Sequence, residues 1–288
     1  MLPGMSEASV ERRLWSLFEP VHAVTYFAPE GGAAFEAAGL RGYWRRYFAG
    51  RAAPLGAVGA GPVIAAFFGF APGMVTRALP DIWTRITPQA ALDARRDGAR
   101  AALEPLLDGV PVDEVADLLE GAARAVDRPG RVLGAANADL PWPDEALDRL
   151  WHAATILREH RGDGHVAALL TAGVDGCESL VWRCGRDGVR ESMQPARGWT
   201  DEEWEAAAGR LRERGWLAAD GSTTIVGEEA YAEVEAVTDR LAGRPWRELG
   251  AAATERCATL LEPIAARILP LLPDNNPIPL RPQGQAAR

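Results

Sequence analysis

Leu211-Arg-Glu-Arg-Gly-Trp-Leu-Ala-Ala-Asp-Gly-Ser-Thr-Thr-Ile-Val-Gly-Glu-Glu-Ala-Tyr231 reads as the end of one helix, a tight turn and the opening of another helix. Gly215 suits a helix C-terminus, because only a residue without Cβ takes the left-handed conformation there at no cost. Asp220-Gly221 supplies a two-residue turn inside Trp216 to Val226, which predicts a short β-hairpin. Gly227 with Glu228 and Glu229 starts the next helix, its acids at the positive end of the helix dipole. Upstream, Thr200 is a good N-cap with Glu203 at the capping-box position. The reading outward is therefore a helix from Thr200 to Arg214, a hairpin, and a helix from Glu228 to Leu241.

In this order, Trp199 to Leu241 resembles the second half of a MarR-type winged helix. The whole chain is similar to an actinobacterial family of helix-turn-helix proteins related to MarR regulators. The resemblance implies a mainly α fold on a winged-helix unit with one short β-hairpin wing. It also implies DNA as a partner, since such regulators are dimers that set the first turn of a recognition helix in the major groove. The sequence departs from that pattern at the place that matters. The candidate recognition helix opens with Asp201, Glu202 and Glu203, where contacts to bases and phosphates need neutral or basic groups, and the wing from Ala218 to Thr224 has no Arg. These acids disfavour DNA as a partner.

Further helices are expected from Glu7 to Phe18, where Pro20 ends or bends the chain, from Pro88 to Leu107, Val112 to Val126, Asp144 to Glu159 and Pro245 to Leu269. Gly39 to Phe48 is a segment rich in aromatics. The uncharged run Leu55 to Val75 is long enough to span a membrane, but Gly59, Gly61, Pro62, Gly69, Pro72 and Gly73 divide it, predicting two buried helices with turns. Two echoes suggest an internal repeat. Gly61-Pro-Val-Ile-Ala-Ala66 resembles Gly164-His-Val-Ala-Ala-Leu169, and the region from Asp127 to Ala136 resembles that from Leu241 to Ala252. Ala and Gly are abundant here, so a duplicated winged-helix unit and a single one both stay open. The expected division is a helical half over residues 1–139, a winged-helix half over 144–269, and an extended or disordered tail over 270–288.

The chain has 288 residues, a net charge of -9 and 31 basic side chains, all of them Arg. A net negative surface repels phosphate backbones unless arginines gather on one face. Cys177, Cys184 and Cys257 form no C-x-x-C pair, so neither a disulfide framework nor a zinc knuckle is indicated. With no basic n-region or apolar h-region at the start, a cytoplasmic protein is expected. No phosphate loop, G-x-G-x-x-G, G-x-S-x-G or H-E-x-x-H occurs, so no cofactor or metal is expected.

Three of the four histidines fall in Trp151-His-Ala-Ala-Thr-Ile-Leu-Arg-Glu-His-Arg-Gly-Asp-Gly-His165. Gly162-Asp163-Gly164 reads as a turn, with His165 in the first turn of a following helix, where the positive end keeps an imidazole neutral. The leading expectation is a small-molecule ligand in a pocket between the halves, lined by His22, Tyr26, Trp44 and Trp151, with polar contacts from His160, Arg161, Asp163 and His165. This makes the protein a ligand-responsive regulator, or a derivative that has lost DNA binding. The alternative is an enzyme using His165 or His22 as general acid/base, with Arg161 holding an anionic substrate. A structural reading stands beside both: Asp163 as a cap, Arg161 as an ion-pair partner, His22 as a satisfied core histidine and the tryptophans as core.

Overall fold

A computed structural model describes residues 9–273. Fifteen α-helices and three short 3-10 turns are joined by loops, with no sheet among the described residues. α1 (Val10–Phe27), α2 (Pro29–Ala37), α3 (Tyr43–Ala52), α4 (Ala60–Phe67) and α5 (Pro72–Thr76) precede the long α6 (Pro88–Leu106). α7 (Asp113–Arg124) and α8 (Val132–Ala138) lead into α9 (Ala146–Thr171). α10 (Gly176–Asp187), α11 (Arg190–Arg197), α12 (Asp201–Glu213), α13 (Ile225–Ala242), α14 (Arg244–Leu249) and α15 (Ala251–Ile268) complete the chain. No helix is long and apolar enough to cross a membrane, and the uncharged run after Leu55 contains the separate helices α4 and α5.

Several local expectations are corrected. α1 does not stop before Pro20 but runs through it, because burial of Leu14, Phe18, Val21 and Val24 outweighs the lost backbone bond. The helix expected from Pro245 breaks at Gly250, whose φ of 84° is left-handed, into α14 and α15. The β-hairpin wing is not formed. Residues 216–224 make a tight loop with a single isolated bridge, Leu217 to Thr223. The Thr223 N–H donates at 3.1 Å to the Gly185 carbonyl of α10, so it cannot extend a ladder between the arms. α2, α8, α10 and α11 were not expected from the sequence, although Asp175 and Glu178 form a full capping box at the head of α10.

Gly162-Asp163-Gly164 is not a turn. It lies inside α9, and His165 is far from that helix's first turn. The glycines serve packing: a Cβ on Gly164 would strike Arg131, and α8 crosses α9 at Gly134, where a Cβ would lie 2.9 Å from the His160 Cα. The first echo pairs two helical stretches, residues 61–66 in the short α4 and residues 164–169 in the long α9, but the residues before it differ, since 58–59 are loop and 161–162 are helix interior.

The apolar side chains gather in three cores. One joins α1, α6 and α7 to α9, α14 and α15, through Leu14, Leu103, Leu119, Ile156, Trp246 and Leu261. A second holds the aromatic residues of α3, α4 and the following loop, including Phe48, Phe67 and Phe70. The third belongs to α10 through α13 and the end of α9, around Trp182, Trp204 and Leu211. α9 runs through the centre, 16 of its 26 residues buried, so it presents no single apolar stripe. Of the tail expected over 270–288, residues 274–288 lie outside the described residues. Leu269–Leu271 is a 3-10 turn, and Leu272 packs on Ala23.

Candidate functional site

Two spaces adjoin each other where α1, α3 and α9 meet. The inner one has room for about one water, at about 10 Å³. It is surrounded by His22, Tyr26, Tyr47, Arg51, Trp151 and Glu159. Arg51 grips Glu159 through two bonds of 3.0 Å, Tyr47 accepts from Arg51 at 3.2 Å, and Arg158 lies 2.9 Å from the same carboxylate. Burial alone would raise the Glu159 carboxyl, but Arg158 and Arg51 hold it well below the usual range. His22 bridges Thr155 at 2.9 Å and Tyr26 at 3.1 Å, and burial, reinforced by Arg158, holds its pKa well below the ordinary value. It is a neutral, fully partnered ring.

The outer space is an open groove of about 250 Å³ between α1, α3, α9 and α11. Tyr26, Tyr43, Trp44 and Tyr47 form its aromatic wall; Met193, Ala196 and Arg197 of α11 face them, and Arg158 forms part of the lining. The wall is built by spacing: Tyr43, Trp44 and Tyr47 share one face of α3, and Trp44 packs edge-on against both Tyr47 and Phe70.

The structure thus splits the expected site. Tyr26 and Trp44 line the groove; His22 and Trp151, with Tyr26, line the inner space. His160, Arg161, Asp163 and His165 line neither, and the last three are each engaged with a neighbouring helix. Asp163 accepts the Gly134 N–H at 2.8 Å, Arg161 pairs with Asp239 at 3.0 Å, and His165 meets Thr238 at 3.0 Å. His160 is buried with Nε2 unpartnered, 3.9 Å from Asp127, and burial together with Arg131 lowers its pKa to about 4. His22 and His165 therefore share no cavity. Sequence reasoning missed Arg51, Glu159, Arg158 and Arg197; the four-residue spacing of Tyr43, Tyr47 and Arg51 was the available signal. No cluster of His, Cys, Asp or Glu suited to a metal occurs among the described residues.

α11 closes one side of the groove and ends at Gly198, whose φ of 76° turns the chain toward α12. Thr200 caps α12 in a full capping box with Glu203, and Trp199 Nε1 donates at 2.9 Å to the Gly69 carbonyl. Asp201, Glu202 and Glu203 are exposed at the head of α12. Arg186, Arg190, Arg210 and Arg212 are each ion-paired with nearby carboxylates. A helix that ends on a left-handed glycine and a capped helix that follows it, over a core of their own, are what a protein of the helix-turn-helix class presents. The chain belongs to a helix-turn-helix family, whose model matches residues 11–271. No curated protein and no solved structure matches it.

Proposed function

We propose that this protein is a ligand-responsive regulator of helix-turn-helix type, with α11 and α12 as its helix-turn-helix pair and the aromatic groove as its small-molecule site. The observation that carries this reading is the groove itself. It has room for a one- or two-ring molecule, and one wall is the helix that leads through Gly198 into α12. Gln194 of α11 donates to Asp201 of α12 at 2.9 Å, and Arg190 holds Glu205 at 2.8 Å, so a displacement of α11 is passed to α12. The order of α10 to α13, with the tight loop at 216–224, supports the MarR-like reading. The acids opening α12 and the paired arginines around it make DNA affinity weak and only shallowly dependent on salt.

Ala196→Trp fills the groove from the α11 side and tests the reading. Titration of tryptophan fluorescence with mono- and bicyclic aromatic compounds should show saturable binding in the natural chain and none in this variant. A gel shift with the DNA upstream of its own coding region should be released by the bound compound. Equal binding by Ala196→Trp would remove the groove from consideration.

A further inference from the structure

The charges around the groove do not cancel, and the remainder points to the kind of molecule that fits. Arg51 and Arg158 face Glu159 and Glu19, two cations against two carboxylates. Burial raises the Glu19 carboxyl against the pull of Arg158, and any proton it takes up adds to the positive excess. Arg197 stands outside this balance. It lines the groove, pairs with no carboxylate among the described residues, and makes only one long bond, 3.4 Å, to the adjacent Ala196 carbonyl. Its guanidinium lies 4.6 Å from the Phe70 ring centroid. Guanidinium stays charged in proteins and has five N–H donors, so most of its hydrogen-bonding capacity is unused. Arg158 also lines this space, but its Nη1 is held 2.9 Å from the Glu159 carboxylate, which leaves Arg197 as the guanidinium of the groove without a carboxylate partner among the described residues.

Resting on the ligand-binding reading of this groove, we infer that it takes a flat aromatic molecule carrying one negative charge, a carboxylate in the simplest case, with the anion on Arg197 and the ring among Tyr26, Tyr43, Trp44 and Tyr47. Arg95, beside the inner space, also lacks a carboxylate partner among the described residues, but its guanidinium is buried against the Gly50 carbonyl and Asn137, so Arg197 is the unpaired cation that lines the groove itself, and one anionic group matches it. Planarity follows from the wall, since rings stack offset or edge-on to tyrosine and tryptophan. A guanidinium fork matches a carboxylate in two parallel bonds, which fixes the orientation of the ring.

The test uses the full chain and three probes of one shape: 1-naphthoate, neutral 1-naphthalenemethanol and doubly charged 1-naphthyl phosphate, titrated by calorimetry. 1-Naphthoate should bind at least about 10-fold more tightly than either of the others, about 1.4 kcal/mol. Arg197→Gln should weaken 1-naphthoate by about 30-fold and leave the alcohol within about twofold, and Arg197→Lys should keep most of the preference. Unchanged thermal unfolding of both variants guards against a folding defect. Equal binding of naphthoate and alcohol to the natural chain, or an unchanged preference in Arg197→Gln, overturns the anion assignment while leaving the groove as a ligand site. Tightest binding of the phosphate overturns the single charge. Binding of none of the three overturns both this inference and the ligand reading beneath it.

Discussion

Asp163 accepts the Gly134 N–H at 2.8 Å where α8 begins, in a position shielded from water. Burial raises its pKa to about 6, against a usual 3.8, despite that bond. Because the folded state holds this proton more tightly than the unfolded chain, the stability that Asp163 contributes is greatest below about pH 4. It declines as pH rises through about 6, then levels off. Asn keeps the acceptor and removes the charge. Asp163→Asn should therefore match the natural chain near pH 4 and exceed it by about 2 kcal/mol at pH 7.5, read from urea midpoints at the two values. A constant difference between these pH values would show that Asp163 does not titrate in this window. His160, lowered to about 4 by burial and Arg131, and His152, lowered to about 3 chiefly by burial, act in the opposite sense, because the unfolded chain takes up their protons first as pH falls below 6.5; that contribution is common to the natural chain and Asp163→Asn and cancels in their difference. Sequence alone marked Asp163 and its neighbours as unusual but assigned them to a turn. Their partners, Gly134 and Asp239, are distant in the chain, and no local spacing announces such contacts.

At the scale of elements, α9 decides most of the architecture and was the helix least well bounded from sequence. Its apolar residues point in every direction, and its polar ones, Glu159, Arg161 and Asp163, are matched by groups on other helices, so it shows neither an amphipathic stripe nor a polar face. By contrast α6, α7 and α12 were readable to within a residue or two, since caps such as Thr87 and Thr200 and a single buried face are local properties. The close crossing of α8 on α9 makes Gly134→Ala a sharp probe. Its methyl would have to displace the backbone at His160, 2.9 Å away, and should cost about 1–3 kcal/mol in denaturant unfolding. The α3 to α9 contact depends on charge instead. Glu159→Gln leaves Arg51 and Arg158 facing each other without a full counter-charge and should destabilise by about 3–5 kcal/mol. The pair of changes Arg51→Met and Glu159→Gln should cost less than the sum of the single ones, since each removes the partner whose loss harms the other.

At the scale of the whole molecule, one core spans the boundary expected around residues 139–144. The largest core draws Leu14, Leu103 and Leu119 from before that boundary and Ile156, Trp246 and Leu261 from after it. α15, near the end of the described chain, packs on α1 at its beginning, where Arg13 also pairs with Glu255 and Glu262. The α10 to α13 unit has its own core, yet it too is tied back: Arg12 and Arg161 both reach Asp239 on α13, and Ala71 N–H donates to the Arg197 carbonyl at 2.9 Å. Separating the halves would expose the shared faces of α1, α7 and α9 together, at a cost in covered apolar surface that couples the two halves. The expected behaviour is one cooperative thermal transition, with far-ultraviolet and near-ultraviolet circular dichroism coincident and the calorimetric enthalpy equal to the van't Hoff value. Limited proteolysis should leave no persistent fragment starting near residue 144. A stable fragment of that kind, or an earlier transition of tryptophan fluorescence alone, would mean that the α10 to α13 core carries itself. α9 would then be a link between two folding units.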